Sequence, residues 1–204
     1  MTEYHVTVVF DLDYTTWEFY SDYERGPYKV VDGETVRNGG GQALRLFPGV
    51  AAMLARLRDR ADELAGAARV RLTLCTLSRT TNPRDAARLL ELYRLRPFFE
   101  RCDFDTGCKA PHLARHYREQ QRRCRATPGA VPAGVVLFDD EYGNISDVEA
   151  LAARSGEPLR AVLVRRGITY DIVRKAVQDL VARASKQQPR EGQEEGQHHG
   201  SPPS

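Results

Sequence analysis

Two aspartates flank a single leucine at the end of a short apolar run, in Phe10-Asp11-Leu12-Asp13-Tyr14-Thr15. Like charges that close repel each other and need a reason to be there. At about 4 Å and an effective dielectric near 20 the repulsion is roughly 4 kcal/mol. A divalent cation relieves it, and Mg²⁺ suits carboxylate oxygens. A second acidic cluster, Asp139-Asp140-Glu141, follows another apolar run. In a parallel sheet the two clusters reach one edge and can share the metal.

A metal among carboxylates is not yet an enzyme. Phosphoryl transfer also needs a nucleophile, a proton donor and positive charge around the phosphoryl oxygens. Asp11 can attack phosphorus and form an aspartyl phosphate. Asp13 can protonate the leaving oxygen and then take a proton from the hydrolytic water. Ser78 can donate to a phosphoryl oxygen. Lys109, at the start of a helix, adds positive charge beside the backbone donors of that helix end.

These residues need strands to carry them. Residues 6–10 (Val-Thr-Val-Val-Phe) form a buried-strand pattern, as do 70–75, 135–138 and 161–164, with a weaker candidate near 98–104. Helical patterns fill the gaps. Val50, Met53, Leu54 and Leu57 follow Pro48 at helical spacing. Asn82 caps a helix that has Pro83 at its first position and Asp85 in its first turn. Further helices are predicted from about 110 to 124, from near Asn144, which caps its helix, and from Thr169. Strands alternating with helices imply parallel pairing by right-handed crossovers, hence a three-layer α/β domain of about five strands. Ligands of such sheets bind beyond the carboxyl ends of the strands. Asp11, Asp13, Ser78, Asp139 and Asp140 all sit at such ends.

Two segments break the alternation. Residues 12–45 hold Tyr14, Trp17, Phe19, Tyr20, Tyr23 and Tyr28 and then Gly39, Gly40 and Gly41. So long and aromatic a connection is expected to be an ordered flap beside the site, with room for a hairpin. Residues 185–204 carry no large apolar side chain and are expected to be a disordered tail, leaving a domain over 1–184.

The 204 residues suit one domain, and the net charge of +2 demands neither nucleic acid nor a membrane. No apolar run approaches the roughly 20 residues that span a bilayer. The four cysteines, Cys75, Cys102, Cys108 and Cys124, are irregularly spaced in a chain too large to need disulfide staples. A reduced, soluble, cytoplasmic monomer is expected.

Asp-Leu-Asp-Tyr-Thr, then Ser78-Arg79-Thr80, then Lys109, then Phe138-Asp139-Asp140-Glu141 resembles the four motifs of the haloacid-dehalogenase (HAD) superfamily of phosphatases. Within it, the chain is most similar to the eukaryotic magnesium-dependent phosphatases, which act on protein phosphotyrosine or sugar phosphates. Val9 to Trp17, Asp32 to Pro48, Leu89 to Leu92, Gly107 to Lys109 and Phe138 to Val148 carry the likeness. The resemblance implies a Rossmann-like parallel sheet with a small cap insertion. It implies Asp11 as nucleophile and Asp13 as general acid and base. Leu12, Ser78, Arg79 and Lys109 would bind substrate phosphate. Asp11, Asp13 through its carbonyl, and the Asp139/Asp140 pair would hold Mg²⁺, with Asp140 the favoured direct ligand. Thr16 stands where the family has Leu, and Cys75-Thr76-Leu77 replace small residues. Neither change removes a reacting group.

Lesser signals weigh less. Cys102, Cys108, His112 and His116 match no common zinc spacing. Arg115, Arg118, Arg122 and Arg125 share a helix face whose default reading is solvation. The expected activity is a Mg²⁺-dependent phosphomonoesterase acting on a phosphoprotein or a phosphorylated sugar. The rivals are a phosphotransferase or phosphomutase with the same intermediate, and a non-catalytic phosphate-binding module.

Overall fold

The computed structural model describes residues 2–66 and 68–188. The main sheet is built from β1 (Glu3–Phe10), β5 (Arg69–Arg79), β6 (Arg101–Asp105), β7 (Ala130–Asp139) and β8 (Leu159–Leu163). Its order is β6-β5-β1-β7-β8, with every pairing parallel. The first strand is therefore central, with both its faces covered. This explains its nearly unbroken burial, which takes in even His5 and Thr7.

Successive side chains along a strand point to opposite faces. Val8 and Phe10 of β1 enter one core with Val136 and Phe138, while Val9 enters the other with Leu77 and Leu137. The first core also takes in residues from α1 (Val50–Asp59), α2 (Pro83–Leu92) and α5 (Tyr170–Gln187). The second is closed by α3 (Ala110–Arg125) and α4 (Tyr142–Ser155). This is the three-layer arrangement the alternation predicts. The side chains of Asn82 and Thr169 cap α2 and α5 by accepting from the amides of Asp85 and Ile172.

Both central neighbours of β1 are longer than the apolar runs suggested. In β7 the early half holds Pro132 and Gly134, which conceal a strand from pattern reading. Pro132 pairs opposite His5, where the register with β1 shifts, a place a strand tolerates proline. Gly134 has φ +135, and a Cβ there would lie 2.4 Å from the Pro158 carbonyl oxygen. Only glycine fits that approach.

The 12–45 segment is ordered. It begins as a tight turn around the Leu12 carbonyl, which accepts from the amides of Thr15, Thr16 and Trp17. Tyr14 in this turn has φ +50, a left-handed conformation non-glycine residues seldom adopt. A short 3₁₀ turn over Ser21–Tyr23 follows, then a three-stranded antiparallel sheet of β2 (Lys29–Val30), β3 (Thr35–Arg37) and β4 (Ala43–Arg45). Trp17 bridges to Leu46, and the Phe47 amide donates to the Thr16 carbonyl, so this sheet is fastened to the turn after β1. The α5 helix continues past residue 184 to Gln187. The rest of the expected tail, 189–204, lies outside the described residues. Among the described residues no helix is long and apolar enough to cross a membrane.

Candidate active site

The carboxyl ends of β1 and β7 are stitched together. Phe10 pairs with Phe138, their rings stack at 5.7 Å, and the Asp11 amide donates to the Phe138 carbonyl at 2.9 Å. The two acidic clusters therefore face each other.

Between them stands Lys109, at the N-cap of α3 and 2% exposed. Its Nζ donates to Asp11 Oδ1 at 2.5 Å and to Asp139 Oδ2 at 2.7 Å. One ammonium thus compensates two buried carboxylates. Asp139 is fully buried, and its oxygens also accept from Asn144 Nδ2, at 2.9 and 3.1 Å, and from the Glu141 amide. Asn144 lies in the first turn of α4 without capping it; the cap residue is Glu141. The asparagine expected to cap its helix instead holds Asp139.

Asp140, the next residue, is less buried and lines the open cleft. One oxygen each from Asp11, Asp139 and Asp140 lie within 4.8 Å of one another. This is the only such cluster of potential metal ligands among the described residues. His112 and His116, by contrast, turn to Asp105 and Asp103, and Cys108 faces Asp147.

Asp13 is held differently. Its Oδ1 accepts from Trp17 Nε1 at 2.7 Å, and its Oδ2 accepts from the amide of Ser21 at 3.1 Å and from Ser21 Oγ at 3.3 Å. The neighbouring Thr16 hydroxyl donates to the Asp11 carbonyl at 2.7 Å. Thr16 thus holds the backbone at the tip of β1.

Arg79 closes one wall of the cleft through an ion pair with Glu141. The cleft, about 320 Å³, is lined by Asp11, Asp13, Tyr20, Tyr23, Lys109 and Asp140 among others. Ser78, at the end of β5, is 1% exposed, and its Oγ has no hydrogen-bond partner. Leu12 is fully buried behind the cleft. The structure thus gathers Asp11, Asp13, Arg79, Lys109 and Asp140 around one cavity and places Asp139, Ser78 and Leu12 behind it.

The electrostatics favour an added cation. Burial pushes the Asp11 carboxyl up to about 8, Lys109 pulls against this, and Asp139 adds to it. Burial and Asp139 push Asp140 up to about 6. Lys109 stays protonated because the attraction of Asp11 and Asp139 outweighs its desolvation. Burial raises the Asp13 carboxyl, against the three hydrogen bonds from Trp17 and Ser21.

Sequence patterns did not reveal Trp17, Ser21 and Asp22 as site residues. Asp22 accepts from the hydroxyl and amide of Thr81, the hydroxyl of Thr80 and the amide of Asn82. The only available signal was their place in an aromatic segment too long for a plain loop.

Comparison with known proteins gives the family. Residues 3–183 match the family model described as acid phosphatase. The chain belongs to the acid phosphatase family. It is 37% identical over 145 residues to human magnesium-dependent phosphatase 1, covering 70% of this chain and 72% of that protein. In fold it is similar to the HAD domain of the effector protein Lem4 from Legionella pneumophila. That likeness has a TM-score of 0.51 at 12% identity and covers 89% of this chain and 98% of the other. The expected HAD-type fold and phosphatase family are thus both met.

Proposed function

We propose that the protein is a Mg²⁺-dependent phosphomonoesterase that works through an aspartyl phosphate. The observation that carries the reading is the buried Asp11–Lys109–Asp139 cluster opening onto Asp140 and Asp13 in one cleft.

The donor set suits a hard divalent cation, since carboxylate oxygens from Asp11 and Asp140 converge beside a site short of positive charge. Asp139 is engaged by Lys109, Asn144 and Glu141, which supports Asp140 as the direct ligand and Asp139 as the residue behind it. When bound, Mg²⁺ neutralises charge on the phosphoryl oxygens and favours the ionised form of Asp11.

The chain's own groups do the rest. An Asp11 carboxylate oxygen attacks phosphorus, and the bond from phosphorus to the ester oxygen breaks. Asp13 gives that oxygen its proton, so the product leaves as an alcohol or phenol. The ionised Asp13 then takes a proton from water as the water oxygen attacks the same phosphorus. The bond to Asp11 breaks, releasing inorganic phosphate and restoring both aspartates. Lys109 supplies a donor to the phosphoryl oxygens from within the cleft, Arg79 lines the same cleft, and the unpartnered hydroxyl of Ser78 lies behind it.

The substrate we infer is a phosphotyrosine-bearing protein or a phosphorylated sugar or sugar adduct. Tyr20, at 45%, and Tyr23, at 80% exposed, line the cleft, and the Tyr14 and Tyr20 rings meet edge to face at 4.6 Å. Such rings stack on an aryl group or a sugar face.

The test is Asp11→Asn, assayed by phosphate release from an aryl phosphate with Mg²⁺ and no added acceptor. Turnover is expected to fall by more than about 10³-fold, as when other catalytic nucleophiles are removed, with an unchanged circular dichroism spectrum. Persisting turnover would remove the nucleophile assignment. Release that requires an acceptor alcohol would mark a phosphotransferase.

A further inference from the structure

We propose that Asp22 is a positioning residue for Asp13, acting through Ser21 as a latch between the aromatic flap and the loop after β5. The inference rests on the reading of Asp13 as general acid.

Two of the three donors to Asp13 come from Ser21, its amide and its hydroxyl. Ser21 belongs to a 3₁₀ turn of three residues. The turn's own support is local: the Tyr23 amide on the Tyr20 carbonyl at 3.3 Å, the Glu24 amide on the Ser21 carbonyl at 3.2 Å, and Arg25 Nη1 on the Asp22 carbonyl at 2.6 Å, none of which reaches the main sheet. So short a turn does not hold itself in place. What ties it down is Asp22. Its carboxylate reaches across 58 to 60 residues of sequence to the Thr80 hydroxyl, the Thr81 amide and hydroxyl, and the Asn82 amide.

Those partners directly follow Ser78 and Arg79, at the end of β5 and the start of α2. They are also well anchored: Thr80 is 4% exposed, its amide donates to the Asp105 carbonyl, and its hydroxyl accepts from the Asn82 amide at 2.9 Å. The main sheet thus fixes Thr80 to Asn82. Asp22 transfers that fixity to Ser21, and Ser21 aims the Asp13 carboxylate. Asp22 also lines the cleft, but its carboxylate is engaged by the donors of Thr80, Thr81 and Asn82, so the role assigned to it is orientation and the proton belongs to Asp13.

A positioned acid matters most where the leaving group is a poor one. Phenoxide needs a proton as it departs, whereas 4-nitrophenoxide leaves readily without one. The comparison is therefore kcat/KM for phenyl phosphate against 4-nitrophenyl phosphate, which reports on steps up to formation of the aspartyl phosphate. Asp22→Ala is expected to lower kcat/KM by about tenfold for phenyl phosphate, part of the 10²–10⁴-fold range typical of general acid catalysis. For the 4-nitrophenyl ester the change is expected to be under about twofold. The inhibition constant of inorganic phosphate should not move. Thr80→Val, which removes one latch donor from the far side, should reproduce the pattern in weaker form and covers the case in which Asp22→Ala fails to fold. On an Asp13→Asn background, Asp22→Ala should cost nothing further, since no acid remains to aim.

Equal losses on both esters, a phosphate inhibition constant that rises with the loss, or an undiminished Asp22→Ala effect without Asp13 would each overturn the latch. All three leave the nucleophile untouched. The single Asp13→Asn variant separately decides the parent reading: it should lose far more on phenyl phosphate than on the 4-nitrophenyl ester, and equal losses would remove Asp13 as the acid.

Discussion

Asp11 and Asp13 are separated by one residue and are held in opposite ways. Asp11 sits at the tip of the central strand, its carboxylate buried against Lys109 at a helix start and Asp139 at a neighbouring strand end. Asp13 is held by Trp17 and Ser21 of the segment that follows β1, and its support runs on through Asp22 to a loop. One carboxylate is fixed by compensated charge inside the sheet. The other is fixed by hydrogen bonds at the rim. The difference suits the two tasks: attack on phosphorus requires a fixed line of approach, whereas the proton donor must serve a leaving oxygen and then a water.

Removing the central charge should break the comparison most severely. Lys109→Met leaves two buried carboxylates facing each other without their ammonium. The expected destabilisation is about 3–5 kcal/mol, read as a fall in the urea midpoint without a change in slope. A loss comparable to that of a surface ion pair would mean that the buried half is not charge-fixed.

Metal addition probes the same half from its open side. Mg²⁺ at a hundred times its dissociation constant should raise stability by about 2.7 kcal/mol, and chelation should reverse this. The increment should vanish in Asp140→Asn and survive in Asp22→Ala. A Mg²⁺ increment that persists without Asp140 would move the ligand assignment to Asp139.

The smallest effect belongs to the rim and depends on pH. Burial works to raise the Asp22 carboxyl, but the donors of Thr80, Thr81 and Asn82 prevail and hold it below its usual 3.8. A carboxyl depressed by folding adds stability that is present above the unfolded value and lost as pH falls through the folded one. The margin of the wild type over Asp22→Asn should therefore be full near neutrality and disappear below pH 3.8. Thermal melts at stepped pH read it, and a margin independent of pH would show that the charge of Asp22 contributes nothing.

The same division governs what the sequence reveals. The central strand, the Asp11 and Asp139 tips, the Asn82 cap and the helix start at Thr169 are legible because each is a local pattern of burial period or helix-start chemistry. The early half of β7 is not, since Pro132 and Gly134 imitate a loop and only the register shift opposite His5 admits them. The small sheet is not, because strands of two or three residues are too short to show a period. Asn144 has the residue type of a cap, and only the neighbouring Asp139 shows what it binds. The bond between Asp22 and Thr80 joins segments far apart in sequence, with no pattern at either end to announce the other.

Trp17 is the protein's only tryptophan. Its ring is fully buried and stacks on Phe19 with the planes 7° apart, while its indole N–H rests on the Asp13 carboxylate. Ultraviolet emission excited at the indole band therefore originates wholly at the rim of the cleft. The fold carries its own optical reporter, and the arrival of a ligand beside that carboxylate can be followed in unlabelled, unmodified protein.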